Sequence, residues 1–168
     1  MAKKDVTLTK DVSIIKKDRM RFTKNTLSST LCYFAILFNV FYFVNLYSTN
    51  LDYYYKAMIG FSVVYNLLFL LFTFLCSEGV KNYSKQYSIV VLVIGALQIA
   101  RIFGIPTMAH STTMLTPENV EILVMDNNQF YLLVAFLIAS AACCIAAGVI
   151  GLVKTTILEN YKKEIESN

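Results

Sequence analysis

Apolar residues in this chain gather into four long runs separated by polar segments. Residues 27–47, 57–77 and 130–153 contain no charged side chain, and residues 87–109 are interrupted only by Arg101. Each run holds 21 to 24 residues, which fits the roughly 20 helical residues that cross a ~30 Å hydrocarbon core. Stretches such as LLFLLF (67–72) and IVVLVI (89–94) are apolar on every face, which excludes the strict alternation of an outer-membrane strand. Lipid offers no partners to backbone N–H and C=O groups, so isolated segments of this kind must be helical. The pattern predicts an all-α fold: an integral membrane four-helix bundle over 27–153, preceded by an arm (1–26) and followed by a tail (154–168).

Composition removes the main alternative. Of 168 residues, 57% are apolar and only 15% charged, against about 25% charged in a soluble domain. Four fully apolar helices in water would need far more chain to cover them than the rest of the sequence provides. The charges also carry direction. Eight Lys and Arg crowd the arm, Lys81 and Lys85 occupy the second loop, and Lys154, Lys162 and Lys163 follow span four. The opposite loops hold Lys56 alone. This asymmetry predicts cytoplasmic termini and an outward third loop. The long charged arm, with no small-residue cleavage site after the first apolar run, predicts an uncleaved anchor. Twelve Lys against three Arg, with many Asn, Ile and Tyr, point to a bacterial plasma membrane.

Outside the spans, Leu8, Val12, Ile15 and Phe22 form an apolar spacing in the arm that Arg19 interrupts. The arm either lies on an anionic leaflet or only fixes topology. In TPENVEILVMD, Thr116 can cap a helix, Pro117 can open it, and Glu118 and Glu121 suit its positive end. A short surface helix is expected there, with an extended ILVM segment as the alternative.

Candidate chemistry lies inside the membrane. Counted from the arm side at about 1.5 Å per residue, Asn39, Asn66, Gln98 and Ser140 reach comparable depths near the middle of the core. Such amides and hydroxyls commonly tie helices together, at about 0.6 kcal/mol per bond and up to ~1–2. Arg101, one turn beyond Gln98, is different. A central Arg costs at least about 2.5–3.5 kcal/mol, which makes it a functional-site candidate by default. No acid stands inside the spans. The expected course of Arg101 is therefore outward, toward Asp52, Glu118, Glu121 or Asp126, or onto an anion, lipid headgroup or substrate. Gly104 and Pro106 predict that span three ends or kinks just past it.

Span four carries small residues every four positions: Ala135, Ala139, Cys143, Ala147 and Gly151. Small residues allow close backbone approach in lipid, either inside the bundle or against another subunit. Enzymatic constellations are missing. The chain has no glycine-rich phosphate loop, no paired acids, no CxxC and a single histidine, His110, so no catalysis, cofactor, metal or nucleic-acid partner is expected. The four cysteines read as packing residues. Two functions remain open. One is a non-enzymatic subunit or scaffold joined to a membrane-protein partner, or to itself, through span four. The other is a small transporter, channel-forming oligomer or lipid-binding protein using Arg101 and the mid-membrane amides.

Overall fold

The computed structural model describes residues 12, 14–47, 53–115, 121–123 and 125–166. A short helical stretch over 14–22 precedes α1 (Thr26–Tyr47), α2 (Tyr53–Lys81), α3 (Lys85–Ile102) and α4 (Ile105–His110). A two-stranded hairpin follows, β1 (Thr113–Leu115) with β2 (Glu121–Leu123), before α5 (Asn127–Glu166) closes the chain. Four helical segments are long and apolar enough to cross a membrane: α1, α2, α3 together with α4, and α5. Phe61, Leu67, Val44, Val93 and Phe103 stand exposed on their outer faces. An apolar surface of that extent is unsuited to water and suited to lipid.

The helices pack as a square. α5 lies along both α1 and α3, α2 lies along α1 and more sparsely against α3, and α2 scarcely meets α5. One end of the square is tied by polar groups. The Asn25 N–H donates to the Lys81 carbonyl at 2.8 Å, and Lys154 Nζ donates to Asn25 Oδ1 at 3.0 Å. Asn25 Nδ2 in turn donates to Ser28 Oγ at 2.8 Å in the first turn of α1. At the opposite end, Gln129 Nε2 donates to the Asn45 carbonyl at 2.9 Å, and the His110 ring stacks on Phe130 at 4.4 Å.

Close backbone approach joins α3 to α5. A Cβ at Gly148 would lie 2.6 Å from Leu92 Cγ and 3.0 Å from the Ser88 carbonyl oxygen. At Gly151 it would lie 2.6 Å from Ser88 Oγ and 2.9 Å from Val80 Cγ1. Glycine is required where two backbones come this near. Cys32, Cys76 and Cys144 belong to the same core cluster, with Cys143 packed against it. They fill it as small apolar residues.

Two elements depart from the sequence pattern, while span three breaks where Gly104 and Pro106 predict. Span three is broken, with α3 ending at Ile102 and α4 resuming at Ile105. Gly104 sits at φ −87° and ψ −119°, and Pro106, in the first turn of α4, brings no N–H to the helical ladder. The third loop pairs as strands, Thr113 opposite Leu123 and Leu115 opposite Glu121. The extended alternative for ILVM therefore holds at 122–123, while Thr116, Pro117 and Glu118 lie outside the described residues. The β-branched Thr113 suits the extended ladder. Finally, α5 continues through the tail to Glu166. Its 40 residues make a rod about 60 Å long, roughly twice the hydrocarbon thickness.

Candidate functional site

Halfway along the bundle, four helices each contribute a buried polar side chain to one layer. Asn39 comes from α1, Asn66 from α2, Gln98 from α3 and Ser140 from α5, all essentially inaccessible to solvent. Asn39 Nδ2 donates to Asn66 Oδ1 at 3.1 Å, and Gln98 Nε2 donates to Asn39 Oδ1 at 3.0 Å. A longer bond of 3.4 Å runs from Gln98 Nε2 to Ser140 Oγ, which itself donates to the Ala35 carbonyl at 2.9 Å. Pairing is necessary, because an unpartnered amide in an apolar interior costs several kcal/mol. The layer links four helices through interhelical hydrogen bonds, which matter most where no hydrophobic drive joins helices.

Arg101 joins this layer rather than leaving it. Nη1 donates to Asn66 Oδ1 at 2.8 Å and to Asn39 Oδ1 at 3.3 Å. Nη2 donates to Ser62 Oγ at 2.9 Å. The guanidinium carbon lies 4.3 Å from the Tyr42 ring centroid and 4.7 Å from that of Tyr65. Contacts of this kind contribute about 0.5–1 kcal/mol at exposed sites and ~2 or more when desolvated. The outward course expected for Arg101 is thus replaced by an inward one. Amide and hydroxyl oxygens at its own level of the bundle, with two aromatic rings, offer it partners there.

Among the described residues no acidic side chain pairs with Arg101. Lys81 pairs with Glu78 and Arg21 with Asp18, both far along the chain from the layer. Asp126 and Glu121, expected partners, make no ion pair with Arg101; Asp52 and Glu118 lie outside the described residues. Arg101 also lines a cleft of about 410 Å³ with Ser62, Tyr65, Leu68, Gly104 and Ile105. The cleft sits between α2 and the break separating α3 from α4. Among the described residues, no three His, Cys, Asp or Glu converge on a metal position.

All five residues expected to form a polar membrane site therefore meet. The sequence reading passed over Tyr42 and Tyr65, although Tyr42 stands three residues after Asn39 and Tyr65 three after Ser62, on neighbouring helical faces. The small-residue stripe of span four fares differently. Ala147 and Gly151 are buried, Ala139 and Cys143 are half-buried, and Ala135 is exposed. The inward face runs instead through Leu133, Leu137, Ser140, Ala141, Cys144 and Gly148. Four residues advance an α-helix about 40° past a full turn, so a four-residue stripe winds off its face over 16 residues.

Compared with family models, with curated proteins and with solved structures, the chain matches none.

Proposed function

We propose that this small multi-pass membrane protein is a non-enzymatic binding protein that takes an anionic amphiphile from the surrounding bilayer at Arg101. The observation carrying this reading is a half-buried Arg101 lining a cleft between α2 and the break after α3, with no carboxylate against it among the described residues. A lone intramembrane cation of this kind favours an anionic guest. Carriage of the guest across the bilayer is the natural extension of such binding, and the discontinuous span beside Arg101 suits it. The Lys and Arg distribution supports cytoplasmic termini, and residue usage supports a bacterial plasma membrane.

Purification of the wild type and Arg101→Gln in mild detergent, followed by native mass spectrometry, tests the reading. The wild type is expected to retain an anionic amphiphile that the variant releases, with both folded. Equal retention by the two proteins counts against it.

A second reading, assembly with a membrane-protein partner or a second copy, keeps support from the exposed Ala135 and the half-buried Ala139 and Cys143. The buried Gly148, Ala147 and Gly151 already serve the contact with α3 and the bundle interior. Association would therefore use the hairpin end of α5.

A further inference from the structure

Arg101 and the seam beside it specify the amphiphile more closely. Beyond the cleft at Arg101, a second hollow of about 200 Å³ shares Tyr65 and Leu68 with it and continues along Phe69, Phe72, Ile94 and Leu97. Together the two hollows follow α2 from Phe61 to Phe72, a run of about 16 Å. That length equals half of a ~30 Å hydrocarbon core and suffices for one acyl chain. The groove is polar only where Ser62 and Arg101 stand. Past Tyr65 its walls are aliphatic and aromatic.

Direction follows from where Arg101 sits. It occupies the last turn of α3, next to the break and on the side of the bundle that carries α4 and the hairpin. An anionic head at Arg101 would thus stand at the level of the mid-bundle layer, with its chain running along α2 past Asn66 toward the Lys81 end.

Stoichiometry of charge and donors narrows the head. A guanidinium has five N–H groups, and three have acceptors here: two on Nη1 and one on Nη2. The guanidinium edge that meets two oxygens of one planar anion is formed by Nε–H and one Nη2 N–H. One positive charge is balanced by one carboxylate, whereas a phosphate monoester brings about −1.5 to −2. One groove accommodates one chain, which disfavours a two-chain phospholipid.

We infer, resting on the anion-binding reading above, that the guest is a single-chain carboxylate amphiphile of the fatty-acid class. Its head is held by Arg101 and its chain lies in the α2–α3 groove.

The test uses the full chain in phosphatidylcholine nanodiscs with a palmitic acid probe bearing a mid-chain diazirine. Photolabelling is expected within residues 61–72 and 94–104, suppressed by unlabelled palmitate but not by hexadecanol or hexadecylamine. Arg101→Gln should weaken labelling at least about tenfold, the loss expected for hydrogen bonds to a charged group. Leu68→Trp, which fills the groove at a half-exposed position and leaves the polar layer intact, should also abolish it. Suppression by hexadecanol as strong as by palmitate, or undiminished labelling in Leu68→Trp, overturns the inference. Displacement of the probe by phosphatidylglycerol but not by palmitate overturns the single-chain carboxylate while sparing anion binding. If no anion displaces it, both readings fall.

Discussion

Helix α3 presents two contrasting sides to its neighbours. Toward α5 it packs backbone against backbone, with Gly95, Gly148 and Gly151 leaving no room for a single added carbon. Toward α2 it leaves two hollows, and the contact between the helices is thin. Dispersion and interhelical hydrogen bonds are the main attractive forces between helices in lipid. A seam that forgoes dispersion is therefore held by other means, and here the means is the polar layer. Arg101, Asn66 and Ser62 connect α3 to α2 beside the hollow that separates them. The tight side sets the architecture. The loose side keeps room for a guest.

The sharpest way to break this contrast is to add bulk at a glycine on each helix. Gly148→Leu should be the most damaging change, because the Ser88 carbonyl lies 3.0 Å from the position of the new Cβ and backbone cannot swing aside. Overpacking of this kind costs about 1–3 kcal/mol and occasionally more, so unfolding in mixed micelles should shift by at least that amount. Gly60→Leu on α2 meets nothing within 4 Å. It should leave stability unchanged or improve it by up to ~1 kcal/mol, as loss of a helical glycine does. Equal losses at both sites would remove the distinction between the tight seam and the open face of α2 at Gly60.

Next in size is Asn66→Leu. It removes the acceptor 2.8 Å from Arg101 and strands Asn39 Nδ2. Leaving a charged donor short of a partner costs about 2 kcal/mol. Adding Arg101→Met to the variant should recover part of that loss, since coupled neighbours show interaction energies of about 0.5–3 kcal/mol. Additive losses in the double variant would show that Arg101 does not depend on Asn66.

These contrasts were legible in the sequence to different degrees, for physical reasons. The four apolar runs could only become helices, because lipid leaves the backbone no other partner. The break after Arg101 was legible from Gly104 and Pro106, whose restrictions are local. The polar layer was legible as a shared depth, because rise per residue is fixed. The azimuth was not. Whether Arg101 turned out or in depended on how α1 and α2 rotate Asn39, Tyr42, Ser62 and Asn66 toward it, and packing decides that. The same ignorance of rotation hid the winding of the Ala135-to-Gly151 stripe. The hairpin was missed because Thr116–Glu118 offered helix-start chemistry, while the pairing of 113–115 with 121–123 is a contact between segments that local signals do not encode.

A smaller effect is expected at Ser140, where the layer reaches the tight side. Ser140→Ala loses the bond to the Ala35 carbonyl at 2.9 Å and the longer one from Gln98. The expected cost is about 1 kcal/mol, read from the same micelle unfolding. Binding of an anionic probe should be nearly unchanged, since Arg101 makes no bond to Ser140. A loss of binding as large as in Arg101→Gln would mean that the layer acts as one unit and that the two sides of α3 are not separable.

The smallest stability effect belongs to Ala135→Leu, and its value lies in what else it reports. Ala135 is exposed near the hairpin end of α5, so added bulk there meets lipid and should change stability by less than about 0.5 kcal/mol. If α5 docks a partner or a second copy through the small-residue stripe, the contact uses this stretch, because Ala147, Gly148 and Gly151 are already enclosed. Ala135→Leu would then abolish a detergent-stable assembly seen by size-exclusion chromatography with light scattering, while Ala147→Leu would damage folding itself. An assembly that survives Ala135→Leu removes the small-residue stripe as a docking surface. The tight side of α3 would then account for the buried part of that stripe, and the anion-facing groove would stand as the bundle's functional feature.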